Sequence, residues 1–184
     1  LVVSGKSGPH LLASSDRAFV GNAAIQQVRQ LVDFASRQYR YVVLDVPRSE
    51  ADNMDALDLA AHVVVVANQE LATVRNASRI AEALKRRYGN DRVSVILTRY
   101  DPDLQIGEDD VKKATGTRVS ATIPNDYRLA LQALNAGRPV IVENHTRLAA
   151  SFRRLAFRLA GLKEPDAGSD AGAGLLGRLL GRRS

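Results

Sequence analysis

The sequence contains no cysteine and no tryptophan, and it has a single methionine. The lack of cysteine excludes disulfide bonds and thiolate metal sites, and it is typical of a cytoplasmic protein. No apolar run is long enough to span a bilayer and no signal peptide is recognisable, so we expect a cytoplasmic location. Acidic residues are fewer than basic ones, which gives the 184 residues a formal net charge of +6. This excess indicates either an anionic partner (nucleic acid, a membrane surface or a nucleotide) or, with equal weight, a basic surface that serves solubility alone.

Short apolar runs alternate with segments of helical periodicity. Three runs rich in valine and isoleucine, without polar alternation, predict strands that are buried on both faces: Tyr41–Val46, His62–Ala67 and Val93–Thr98. A shorter strand is predicted at Arg118–Ile123, ending at Pro124. Helices are predicted at Gly21–Gln38, Leu71–Tyr88, Glu108–Thr115, Asp126–Ala136 and Thr146–Ala160. This order is typical of an α/β fold, with a doubly wound, mostly parallel sheet flanked by helices.

The C-terminal stretch differs in composition from the rest. We expect one domain over residues 1–161, a flexible linker over 162–174, which is rich in glycine, alanine and aspartate, and an amphipathic basic tail over 175–183. On a helical wheel the leucines of the tail share one face, and two arginines flank it: Leu175, Leu176, Leu179, Leu180, Arg178 and Arg182. This pattern favours an element that lies in a membrane interface. A disordered tail, or a helix that docks on a partner protein, remains the alternative.

A Gly-Lys-Ser run lies near the start of the sequence, within Ser4–Gly8. The full phosphate-loop motif needs a further glycine, which would fall just ahead of Leu1. Leu1–Ser4 has the composition of a strand, and Gly8-Pro9 interrupts the stretch where the motif requires a long helix. We therefore interpret this run as a loop that connects two strands.

Asp45 ends the predicted strand Tyr41–Val46. A hydrophobic strand ending in aspartate is the Walker B pattern, in which the carboxylate holds Mg²⁺ directly or through water. An aspartate that caps the next turn would give the same local sequence, and the pattern alone does not separate the two. The three histidines show no ligand-like spacing to any acid, so we expect no metal site built by the protein alone.

Further polar residues follow the other predicted strands: Thr98 and Arg99 after one, and Pro124, Asn125 and Asp126 after the next. In doubly wound folds, ligands bind beyond the carboxyl ends of the strands. Together with Asp45, these residues are candidates for a site that holds a nucleotide base. For Asn125 and Asp126, capping of the following helix is the favoured alternative.

The last predicted helix, Thr146–Ala160, has an apolar face and a basic face. Its apolar face is expected to bury Leu148, Phe152, Leu155 and Leu159, and the basic residues are Arg147, Arg154 and Arg158. A basic helix face is able to meet DNA phosphates, although a solvated face is the commoner explanation for three arginines.

Several of these segments resemble the ParA/MinD superfamily of deviant Walker A ATPases. The matching residues are YRYVVLDVPRS, ALDLAAHVVVVANQELATVRNASRIAEALK, VSVILTRYD and IPNDYRLALQALNAGRPV. Within the superfamily, they look most like the CpaE/TadZ group, which positions Flp-type (tight adherence) pilus assembly at the bacterial membrane or pole. The resemblance covers about residues 8–160 and is most specific over Ile123–Val140.

The resemblance implies a role for individual residues. Asp45 corresponds to the Walker B acid, which binds Mg²⁺ through water, and Pro47 to the proline of the following switch. Thr98 falls where many members have an asparagine that contacts adenine, and Pro124 lies on the loop beside that base. The tail is similar in kind to the C-terminal membrane-targeting helix of MinD proteins. ATP and Mg²⁺ are thus the expected cofactors, and the expected location is cytoplasmic and peripheral at the membrane, with a polar position left open.

Two departures from the family pattern matter. The family's phosphate loop, its first strand and its first switch have no counterpart here, so the chain is expected to represent the C-terminal two thirds of an ATPase domain. Threonine at position 98 replaces an amide by a single hydroxyl, which puts adenine selectivity in doubt. Whether hydrolysis survives is left open.

The resemblance leads to one favoured function and two alternatives. The favoured one is a homodimeric localisation ATPase that acts with pilus assembly proteins and an anionic membrane surface. A ParA-like partition ATPase on non-specific DNA and a non-enzymatic scaffold are the alternatives.

Overall fold

The computed structural model describes residues 2–4, 10–12, 25–46, 55, 57–142 and 145–163. The chain divides into two compact units, and the boundary between them falls after Ala60. Within the described ranges, no helix combines the length and apolar composition that crossing a bilayer requires.

The first unit contains a hairpin and a helix. Strands β1 (Val2–Ser4) and β2 (His10–Leu12) pair antiparallel, with Val3 opposite Leu11. This pairing agrees with a connecting loop across the Gly-Lys-Ser run, whose residues 5–9 lie outside the described ranges. Helix α1 (Ile25–Gln38) follows. The ring of His10 packs edge-on against that of Tyr39, with centroids 5.3 Å apart, and its Nδ1 is hydrogen-bonded to the Tyr39 hydroxyl.

The predicted strand over Tyr41–Val46 is wrong for the described structure, because no part of this segment is in a hydrogen-bonded strand. Val43, expected in the core, is 91% exposed. An apolar run becomes a strand only where a neighbouring strand pairs with its backbone. No described residue provides that pairing.

The second unit is built on a parallel sheet. Its strands are β3 (Val63–Ala67), β4 (Val93–Tyr100) and β5 (Val119–Pro124), in the spatial order β3-β4-β5. Helix α2 (Leu71–Tyr88) connects β3 to β4, and helix α3 (Glu108–Thr115) connects β4 to β5. Valine-rich strands alternating with amphipathic helices produce this arrangement, which confirms the α/β class.

One face of the sheet packs against α2 and α3. Helix α2 contributes a buried stripe at helical spacing: Val74, Ala77, Ala81 and Leu84. It contacts β3 and β4, whereas α3 contacts β5 and α2. Val95 and Leu97 of β4 and Val111 of α3 are fully buried between these layers.

The opposite face is covered by the C-terminal elements. These are α4 (Tyr127–Asn135), a 3₁₀ turn (Val140–Val142) and α5 (Arg147–Leu159). Helix α5 packs on β5, and a core cluster joins Ile96 and Ile123 of the sheet to Leu148 and Leu155 of α5. Because side chains alternate along a strand, Ile96 points away from the layer that buries Val95 and Leu97. Helices thus cover both faces, as a doubly wound fold requires.

Two details of burial differ from the sequence prediction. Val66 on β3 is 60% exposed, so within the described residues this strand is fully buried on one face only, and on the other face Val64 is half-buried against the α5 cluster. On α5, Phe157 is buried in place of Phe152 and Leu159, which are both exposed. The helix is therefore rotated relative to the face that leucine and phenylalanine spacing alone favoured, and the small residues Ala149 and Ser151 are buried as well.

We expect the cost of losing side-chain volume in the sheet to follow the burial of each position. Leu97→Ala should lower the free energy of unfolding by about 2–5 kcal/mol, because it leaves a cavity in a fully packed layer. Val66→Ala, at an exposed position of β3, should alter it by about 0.5 kcal/mol or less. Urea denaturation measures both, and equal losses in the two variants would contradict the described packing.

Candidate functional site

Most residues proposed for nucleotide binding lie at the carboxyl edge of the parallel sheet. Thr98 and Arg99 lie near the C-terminal end of β4, and Pro124 ends β5 opposite Tyr100. The backbone N–H of Asn125 donates to the carbonyl of Tyr100 over 2.9 Å. Thr98 and Arg99, which were expected to follow the strand, thus lie within it, and the structure brings the end of β4 together with the residues that end and follow β5, at the edge expected in a doubly wound fold.

A bulge shapes the end of β4. Leu97 pairs with Thr122 and Tyr100 pairs with Pro124, so Thr98 and Arg99 together face the single residue between those partners. Arg99 has a φ of 52°, the only positive value among the described residues other than glycine. The left-handed region costs a side chain with a Cβ about 1–2 kcal/mol. Bulges of this kind re-aim a side chain beside a site, and here the exposed Arg99 side chain leaves the regular alternation of the strand.

Thr98 is tied to the sheet. Its hydroxyl donates to the carbonyl of Ala67 on β3 over 3.2 Å. The single donor of the hydroxyl is thereby used, and only its acceptor lone pairs remain for a ligand. An asparagine at the same position would bring both a donor and an acceptor.

Asp126 caps the helix that follows β5. Its Oδ1 accepts a hydrogen bond from the N–H of Leu129 over 3.0 Å at the start of α4. The capping interpretation of this residue is thereby confirmed. Its role at a nucleotide stays a prediction, as do those of Asn125, Pro124, Arg99 and Thr98.

Gln69 organises this edge and was not singled out from the sequence. It follows β3, is 8% exposed, and its side-chain amide makes three hydrogen bonds to the loop beyond β4. Nε2 donates to the carbonyls of Asp101 (3.0 Å) and Ile106 (2.7 Å), and Oε1 accepts from the N–H of Asp101 (2.7 Å). A polar residue between a strand and a helix usually indicates a cap, so nothing local reveals partners more than thirty positions away.

The remaining predicted residues belong elsewhere in the chain. Asp45 lies in the first unit and is exposed. Pro47 and the tail residues Leu175, Leu176, Arg178, Leu179, Leu180 and Arg182 lie outside the described ranges. In the part of the chain that the structure describes, no three histidine, cysteine, aspartate or glutamate side chains group closely enough to hold a metal ion. One carboxylate nevertheless fits Mg²⁺, which usually takes one or two carboxylates together with water and substrate phosphates.

No protein-family model matches the chain. In sequence it is similar to the septum site-determining protein MinD of Thermotoga maritima, with 25% identity over 180 residues that cover 87% of this chain and 66% of that protein. A putative septum site-determining protein MinD of Mesostigma viride is 29% identical over 147 residues, which cover 76% of this chain and 51% of that protein. The chain thus spans about half to two thirds of the length of these curated relatives.

Solved structures share the fold. The MinD cell division protein of Aquifex aeolicus superimposes with a TM-score of 0.67 at 21% identity, covering 77% of this chain and 62% of that one. A ParA family ATPase of Chlorobium tepidum gives 0.66 at 23% identity, covering 75% and 57%. MinD of Pyrococcus horikoshii, solved in complex with Mg-ADP, gives 0.60 at 18% identity, covering 74% and 55%. These likenesses confirm the expected P-loop NTPase type of α/β fold.

We expect Gln69→Leu to loosen the loop after β4. The substitution keeps the side-chain volume but leaves the carbonyl of Ile106 and the N–H of Asp101 without the amide that pairs them, at a cost of about 1–3 kcal/mol in the free energy of unfolding. Faster amide hydrogen exchange at Asp101, measured by NMR, should accompany the loss. Gln105→Leu, on the same loop but exposed, is the control and should change neither quantity. Unchanged exchange at Asp101 in Gln69→Leu would contradict this role.

Proposed function

We propose, from the place of this chain in the ParA/MinD superfamily of ATPases, that it supplies the base-binding side of an ATP site in a nucleotide-dependent positioning protein. The observation that carries the proposal is the bulge at Thr98 and Arg99, held beside Asn125 at the carboxyl edge of a parallel sheet. A left-handed arginine is costly to maintain, and such strain concentrates at functional sites.

The expected ligand is ATP with Mg²⁺. The arrangement would place the adenine against Thr98, Pro124 and Asn125, with Arg99 and Asp126 at its border. Asp45 is proposed to hold Mg²⁺ through water, with Pro47 in the switch that follows. The metal would neutralise phosphate charge, as it does in related nucleotide sites. The resemblance of YVVLDVP to a Walker B strand supports this assignment.

Dimerisation is proposed to accompany nucleotide binding. Helix α4 begins directly after Asn125 and Asp126, and it carries exposed apolar side chains at the i, i+4 and i+7 spacing of a single face: Tyr127, Leu131 and Leu134. Tyr127 and Leu134 are 73% and 76% exposed. An apolar stripe next to the proposed base supports a homodimer whose contact depends on the nucleotide.

The cellular task is proposed to be positioning of Flp-type pilus assembly, as the likeness to the CpaE/TadZ group implies. The curated relatives carry septum-site names, so positioning of the division septum is the competing task. In a strain that lacks the protein, lost pili with normally placed septa would support the pilus assignment, whereas misplaced septa would contradict it.

We expect Thr98→Asn to sharpen the preference for adenine. An amide offers adenine both an acceptor and a donor. The ratio of the affinity for ATP to the affinity for GTP should therefore rise by about 2- to 10-fold, which corresponds to one ordinary hydrogen bond. Titration with a fluorescent ATP analogue and Mg²⁺, with GTP as competitor, measures the ratio.

Lys6→Ala is the control for the same titration and should not change the affinity. Loss of binding in Lys6→Ala would make Ser4–Gly8 a phosphate loop and would overturn the assignment. An unchanged ratio in Thr98→Asn would remove Thr98 from the base site.

We also expect the tail to drive membrane association. Liposomes rich in anionic lipid should carry the full chain upward in a flotation gradient, more strongly with ATP and Mg²⁺, because a dimer joins two weak anchors. Replacement of Leu175, Leu176, Leu179 and Leu180 by serine should abolish flotation. Equal flotation of the two proteins would exclude the tail as the anchor.

A further inference from the structure

The outer edge of β5 is open in the described structure. Among the described residues, β5 pairs only with β4, so no described strand takes up the backbone groups along its other side. An edge of this kind is a template for a further strand. Proteins that leave one uncovered either protect it or use it for recognition.

The edge of β5 forms the floor of a groove between two helices. A cavity of about 220 Å³ runs beside the strand. Consecutive residues Val119–Thr122 line it, so the groove follows the edge of the strand and not one of its faces. Helix α5 forms one wall and the start of α3 the other, and their lining residues are Ser151, Arg154, Leu155, Arg158 and Glu108.

The α5 wall is basic. Arg154 and Arg158 are exposed, and neither forms an ion pair with a described carboxylate. They lie four residues apart on a helix, a rise of about 6 Å. Alternate residues of an extended strand are about 6.6 Å apart. Two acidic side chains at alternate positions of an added strand would therefore match the two guanidinium groups in spacing.

We propose that this groove binds an extended acidic peptide of a partner protein, which adds as a strand to β5 and pairs its carboxylates with Arg154 and Arg158. Main-chain hydrogen bonds provide the affinity and the two arginines provide the specificity. A DNA duplex fits less well, because its width keeps its phosphates out of the groove. The groove contains none of the proposed nucleotide-binding residues, so this inference stands apart from the proposed function.

The test is fluorescence anisotropy with a labelled peptide of alternating glutamate and valine. A peptide of the same composition with its glutamates grouped at one end is the comparison. We expect the alternating peptide to bind more tightly, and we expect N-methylation of the backbone amides along one edge to abolish binding. Because N-methylation leaves the protein untouched, its effect does not depend on a variant folding correctly.

The double variant Arg154→Ser with Arg158→Ser should weaken binding of the alternating peptide by about 2- to 30-fold, the range for two exposed ion pairs. The matched control is Arg75→Ser with Arg79→Ser, which removes the same charge at the same spacing from the exposed face of α2 and should have no effect. Equal losses in both double variants, or full binding by the N-methylated peptide, would overturn the proposal. A gel-mobility shift of duplex DNA that depends on Arg154 and Arg158, together with no binding of the alternating peptide, would also overturn it.

Discussion

Burial of β4 between two helical layers is the constraint on which the second unit depends. Val95 and Leu97 fill the layer under α2 and α3, while Ile96 enters the cluster formed with α5. The middle strand therefore cannot slip by one residue, because a slip would exchange the side chains of its two faces. A fixed register also fixes the edge at which β4 and β5 end, so the end of β4 that carries Thr98 meets Asn125 there.

Periodicity was sufficient to predict most elements of this unit. The valine-rich run of β3 and the stripe from Val74 to Leu84 on α2 are local patterns, and the structure places both where the patterns indicate. Tyr41–Val46 is also an apolar run rich in valine but is not a strand in the described structure, because strand formation depends on a partner that is distant in sequence. The rotation of α5 is a similar case, since small residues such as Ala149 pack only where a neighbouring backbone allows close approach.

The candidate site was predictable by position but not by geometry. Residues after parallel strands meet at one edge in any doubly wound fold, so Thr98 and Asn125 could be named in advance. The bulge could not, because an arginine at a left-handed position gives no signal in the sequence. The three hydrogen bonds of Gln69 also give no signal in the sequence, because they join positions that only the folded sheet brings together. The likeness to MinD and ParA structures supports the fold without assigning these side chains a role.

The amide of Gln69 has a mechanical consequence. It lies just after β3, yet it holds the backbone of Asp101 and Ile106 in the loop that follows β4. These hydrogen bonds therefore hold together the ends of β3 and β4 and the loop that follows β4. The hydroxyl of Thr98 adds a further bond to β3, at the carbonyl of Ala67. A displacement of β3 would carry Thr98 and Arg99 with it, and no separate hinge would be needed to transmit the motion to the edge of the sheet.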